Sequence, residues 1–270
     1  MSNGSASIWV LALTVVAIVY AIVALPQLRR GRWTRGRIML WYGGMALVAL
    51  AVTGPIADRG HDDFWAHMLT HLLLGMAAPV LLTLSAPVTL LLRALPVRGA
   101  RRVVRVLGAR PVRLATHLAT AAVLNIAGMW LLYTTTLYRL MVDSPLIGTA
   151  VQIHILLTGY LFTAAAIGID PMPHRPNWTV RASILIAAFA GHSILARSLY
   201  AHPPEGVSQV QAEPGSRIMY YGGDLIEVGV IAVFCWQWYR ATRPRPLPGA
   251  FATRRAGAIP ITPGATGPNP

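Results

Sequence analysis

Lysine is absent from this sequence, cysteine occurs once, and only nine residues are acidic. Each shortage excludes something. With Cys235 as its single thiol, the chain can form no internal disulfide, zinc ribbon or paired-thiol copper motif, so any metal site must use His, Met or carboxylates. Charged residues make up 12% of the chain against 55% hydrophobic, with a mean hydropathy of +0.54, a balance that a water-soluble surface does not sustain. The net charge of +14 rests on 23 arginines that sit in short loops between apolar runs. No basic domain exists to wrap a phosphate backbone, so the partner these arginines indicate is a lipid bilayer and not nucleic acid. Arginine without lysine also fits a GC-rich bacterial genome.

What the chain does have is seven apolar runs near the ~20 residues a helix needs to cross hydrocarbon. They are Ile8–Leu25, Ile38–Thr53, Phe64–Leu84, Leu114–Tyr133, Leu146–Ile169, Val180–Tyr200 and Met219–Tyr239. No cation precedes the first run and an arginine cluster follows it, which reads as a retained span and not a cleaved signal. Alternating the seven runs across a membrane puts 19 arginines on one side and four (Arg59, Arg139, Arg197, Arg217) on the other. The richer side is cytoplasmic by the positive-inside rule. The expected fold class is therefore all-α: a polytopic membrane helix bundle of about seven transmembrane helices, N-terminus outside and C-terminus cytoplasmic. Residues 1–240 form one transmembrane helical domain, and 241–270, rich in Pro, Gly and Ala, a disordered cytoplasmic tail. The third run continues past Leu84 to Leu92, too long for one straight span. Pro79 is expected to kink it, and Ser85-Ala86-Pro87 to turn the chain into a short interfacial segment.

Ionisable side chains inside spans are costly and mark function or a paired interior. At 1.5 Å per residue, His71, His154, His192, Asp224 and Glu227 all fall roughly 8–12 Å below the outer face, with His67 one turn above His71. His67 and His71 are spaced i, i+4, and Asp224 and Glu227 i, i+3, so each pair can share a face. Two imidazoles one turn apart can serve one metal, with a carboxylate completing the shell or holding the far ring nitrogen. The candidate metal ligands are thus His67, His71, His154, His192, Asp224 and Glu227. His61, Asp62, Asp63 and His202 lie in outer loops as an entry site, while His117, His174 and Cys235 have structural readings. Met68, Met129 and Met219 lie near the outer half and can assist, although methionine in a span is more often packing material. The competing reading of the layer is structural pairing or a proton relay, with a carboxylate neutralising His192.

The stretch His67–Pro79, HMLTHLLLGMAAP, resembles the polytopic CtaG-type cytochrome c oxidase assembly factors. So do Ser85-Ala86-Pro87-Val88 with the leucine run after it, Gly168-Ile169-Asp170-Pro171, Gly191-His192 and Gly222-Gly223-Asp224. The resemblance implies a non-enzymatic bacterial plasma-membrane factor that partners cytochrome c oxidase subunits and handles copper for their metal centres. It carries over His67, His71, His154, His192 and Asp224; Glu227 comes from spacing. Two other classes share the ligand list: a seven-span zinc hydrolase acting on lipid amides or esters, and a haem-binding membrane cytochrome.

Overall fold

The computed structural model describes residues 3–60, 62–171 and 175–243. His61, His174 and the expected tail beyond residue 243 lie outside them. The described residues form helices and no strand. In chain order these are α1 (Asn3–Arg29), α2 (Arg35–Val52), α3 (Pro55–Arg59), α4 (Phe64–Leu72), a π-helical turn (Leu73–Ala77) and α5 (Ala78–Leu84). Then come α6 (Pro87–Ala94), α7 (Val97–Leu107), α8 (Arg110–Ala115), α9 (Leu118–Thr134), α10 (Leu137–Asp143), α11 (Pro145–Ile167) and α12 (Trp178–Ala201). The last rod is α13 (Gln209–Arg217), a second π turn (Ile218–Gly222) and α14 (Gly223–Thr242).

All seven apolar runs are largely helical. Five stretches are long and apolar enough to cross a membrane: Ser7–Arg29, Phe64–Ala94, α11, α12 and Gln209–Thr242. A sixth exists if α9 and α10, bent by 79° to each other, count as one broken span. The second run, α2, is not among them, because its 18 residues open on Arg35 and Arg37. The fourth run starts later than its hydropathy predicts: α8 ends at Ala115, and His117 takes the N-cap position of α9.

The third run breaks by a route the sequence half announces. Proline at 79 has no N–H to offer the carbonyl four residues back, that of Gly75. Ahead of it the backbone widens into a π turn in which the Ala78 N–H donates to the Leu73 carbonyl. The freed Gly75 carbonyl lies against Gly159 of α11. After Leu84, Ala86 adopts the left-handed conformation (φ 57°, ψ 58°), and Pro87 starts α6.

Asp170, just beyond α11, caps α6 from a distance. Its Oδ1 accepts from the Thr89 N–H at 2.7 Å and the Thr89 hydroxyl at 2.6 Å, and Oδ2 from the Val88 N–H at 3.1 Å. Orphan N–H groups of the first turn thus find one carboxylate. Replacing Asp170 by Ala should cost about 1–2 kcal/mol, the usual range for a lost cap. The loss will be read as a lower unfolding midpoint in detergent and faster tryptic cleavage at Arg93.

The other end of this junction is held by arginine. Arg181 is 1% exposed, where its position at the head of the sixth run had it among the cytoplasmic arginines. Its Nε donates to the Ala166 carbonyl at 2.9 Å, and its guanidinium lies 4.4 Å from the Trp178 ring and 5.1 Å from Phe234. Gln237 donates to the Ile167 carbonyl at 2.7 Å, and Arg175 to that of Gly168. Together they satisfy the carbonyls at the negative end of α11.

Candidate functional site

The polar layer condenses around His71. Leu72, Ala66, Met68 and Thr70 bury α4 almost all round, so both of its histidines are interior, His67 8% and His71 3% exposed. The His67 Nε2 lies 3.1 Å from the Tyr133 hydroxyl of α9. Three rings surround that imidazole: Phe64 nearly parallel at 6.2 Å, Tyr133 edge-on at 5.9 Å and Tyr138 edge-on at 5.1 Å. Tyr138 reaches it because α10 is bent by 79° from α9.

One turn deeper, His71 has both ring nitrogens buried and neither in a hydrogen bond. Its ring lies 6.3 Å from that of His192, with 21° between the planes. His192 of α12 places Nδ1 2.9 Å from Glu227 Oε1 of α14. The two groups stand at ion-pair distance without a hydrogen bond between them. Buried polar groups are normally paired, and a cluster of unpaired imidazole nitrogens beside a carboxylate is the kind of exception that marks a ligand site.

Two small cavities of about 40 Å³ each meet at His71. The outer one has His67, Thr70 and Gln152 in its wall and reaches Gly60. The inner one is a chamber between His71, His192 and Glu227, with Asn125, Met76 and Met129 opening into it. Each of these volumes holds one or a few water-sized groups. Both π turns abut this place, one directly after His71 and its neighbour Leu72, the other directly before Gly223 and Asp224. A π turn adds a residue to a helical turn and re-aims the side chains beyond it, which is why such turns recur at functional sites.

Two expected ligands are elsewhere. His154 is exposed on the outer flank of α11, lying over Gly128 of α9 in an apolar surface groove of about 560 Å³. The rotation of α11 is set by its buried Ile155, Thr158, Gly159 and Thr163, and residue 154 sits about 100° around the helix from Ile155. Asp224 is half-buried and makes no hydrogen bond or ion pair among the described residues. It sits about 60° around the helix from the buried Glu227, so their i, i+3 spacing brings only one carboxylate inside. Among the described residues, no three of His, Cys, Asp and Glu converge closely enough to hold a metal ion by themselves.

Tyr133, Tyr138 and Asn125 line the site without having stood out in the sequence, and Met76 lies inside the HMLTHLLLGMAAP stretch without having been weighed as a ligand. Tyr138 lies in a stretch that reads as a loop, and Asn125 is the single carboxamide of its run. Of the outer-loop group, Asp62 makes backbone bonds alone, its N–H donating to the Arg59 carbonyl at 3.0 Å and its carbonyl accepting from the Gln211 side chain at 3.1 Å, and His202 caps the end of α12. His117 stands near Arg110 and Arg113, and Cys235 is an exposed free thiol rather than a buried one, both remote from the chamber.

Fold and site define an all-helical protein, rich in apolar helices long enough to cross a membrane, with a buried imidazole and carboxylate chamber. The chain belongs to the cytochrome c oxidase caa3 assembly factor family, whose family model matches residues 18–241. It is 36% identical over 193 residues to an uncharacterized protein of Mycobacterium bovis and equally to one of Mycobacterium tuberculosis, covering 68% of this chain and 29% of theirs. An uncharacterized protein of Mycobacterium leprae is 30% identical over 174 residues, covering 62% of this chain and 26% of its own. The chain thus spans less than a third of the length of the curated relatives it matches. No solved structure matches it.

Proposed function

We propose that this chain takes copper as cargo on the extracytoplasmic side of the bacterial plasma membrane and supports its insertion into cytochrome c oxidase, without itself catalysing a reaction. Family membership supports the oxidase as partner. The observation that carries the copper reading is the buried His71 imidazole, with two unpartnered ring nitrogens at the junction of two small cavities. In this reading His67 lies on the way in, His71 and His192 bind, and Glu227 balances charge. His154 and Asp224 drop out of the set.

The topology that goes with it has seven spans, α2 included, with the N-terminus outside and the C-terminus inside. Arginine asymmetry supports this orientation. So does α7, which carries four arginines (98, 101, 102 and 105), buries nothing and suits the headgroup region of an anionic leaflet. The zinc hydrolase is less well supported, because a catalytic zinc wants three protein ligands plus a water and no three such side chains converge among the described residues.

Metal analysis of protein purified from copper-supplemented cells tests the reading. His71→Ala should lower copper stoichiometry severalfold, and His154→Ala should leave it at the wild-type level. Equal copper in wild type and His71→Ala would rule out the chamber. A deletion strain with full oxidase activity under copper limitation would rule out the assembly role.

A further inference from the structure

Besides imidazole and carboxylate, the inner chamber is lined by methionine. Met76 extends from the π turn after His71, and Met129, 5% exposed, from α9; both line the chamber that His71, His192 and Glu227 also line. Methionine is ordinary packing material in a core, and Met68 and Met219 of the same core fit that description, since neither faces the chamber. Met76 and Met129 differ from them in lining the chamber together with His71 and His192.

We infer that the chamber binds copper as Cu(I), with the Met76 and Met129 thioethers as ligands beside His71 and His192. The inference rests on the copper reading above and specifies the ion. Three observations point the same way. Thioether is a soft donor that favours Cu(I), whereas Zn(II) and Cu(II) prefer imidazole and oxygen. The absence of any converging trio among His, Cys, Asp and Glu in the described residues handicaps divalent ions, which need three or four such donors; Cu(I) is content with two or three soft ones. Charge agrees as well. Among the described residues Glu227 is the one acidic residue lining the chamber, so a monovalent cation beside its carboxylate leaves the buried site neutral, while a divalent one strands a positive charge in the apolar interior. Sequence adjacency explains the arrangement, since the π turn after His71 brings Met76 to the same side of the third run.

The test compares purified full-length wild type with Met76→Leu, Met129→Leu and the double variant, exchanges that conserve volume and leave the core packed. Cu(I) affinity is measured anaerobically by competition with a chromogenic chelator, and Cu(II) and Zn(II) affinities by equilibrium dialysis. Wild type should prefer Cu(I), and the double variant should lose at least about tenfold in Cu(I) affinity while Zn(II) binding stays as it was. X-ray absorption of the Cu(I)-loaded wild type should show sulfur scatterers that the double variant lacks. Unchanged Cu(I) affinity in the double variant, or a copper shell without sulfur in wild type, overturns the inference. If His71→Ala still abolishes copper in that case, the broader copper reading stands. If wild type binds neither Cu(I) nor Cu(II), both fall together.

Discussion

Gly159→Leu should leave almost no folded protein in the membrane, and Gly159→Ala should already lower the unfolding midpoint. Any Cβ at 159 collides with the Gly75 carbonyl and comes within 3.2 Å of Pro79 Cγ. The obstacle is backbone, which has no rotamer to escape into. Close helix approach through glycine is the main packing device available where lipid removes any hydrophobic drive for association. Overpacking by one methyl costs about 1–3 kcal/mol where neighbours can yield, and the top of that range applies here. Leucine would force α11 off the π turn altogether, separating His71 from the partners α11 helps to position. Size-exclusion profiles in mild detergent and thermal scans will read both effects. Gly229→Ala is the control, since nothing lies within 4 Å of the Cβ it would add. Comparable loss in both alanine variants would mean that the α11 contact has no special weight.

This contact also shows what the sequence could and could not disclose. Helix positions were legible, because hydrophobic runs of about membrane length leave little choice of secondary structure. The broken character of the third run was legible from Pro79 and Pro87, since proline acts locally. Which face of α11 turns inward was not. That is decided by Gly159 meeting Gly75, a long-range fit between two residues without side chains, and it moves His154 to the outer flank. Depth placed six polar groups at one level, but depth says nothing of rotation about each helix axis, and rotation separates Glu227 from Asp224 and His71 from His154. The aromatic enclosure of His67 was hidden for another reason. Tyr138 reaches it only because α10 turns off at about a right angle from α9, in a segment whose Thr-rich sequence reads as a turn. Asp170 and Val88 were both visible as parts of family-like motifs 82 residues apart, yet only their hydrogen bond explains why the two motifs belong together. By contrast, the pairing of His192 with a carboxylate of the seventh run was open to inference, because an intramembrane charge requires a partner and few candidates existed.

If the chamber takes copper as proposed, Gly223→Ala should empty it without unfolding the bundle. Gly223 is the first residue of α14, and a Cβ there would strike His192 Cε1 and come within 3.0 Å of its Nδ1. Here the obstacle is an imidazole and not backbone, so it can yield by rotating. Rotation removes Nδ1 from its 2.9 Å approach to Glu227 and turns the ring away from His71. Alanine is itself the better helix former by roughly 1 kcal/mol, which offsets part of the strain and keeps the fold intact. Displacing one ligand, or the group that orients it, typically lowers metal affinity about 10–100-fold. Copper content and oxidase support in Gly223→Ala should therefore match those of His192→Ala, with a thermal midpoint close to wild type. A variant that keeps wild-type copper would show that His192 holds no metal. One that loses copper and fold together would place the effect in packing, because the two glycine variants then behave alike. The pair separates the two roles of glycine in this bundle: at 159 it lets backbones touch, and at 223 it lets a histidine stand beside a carboxylate.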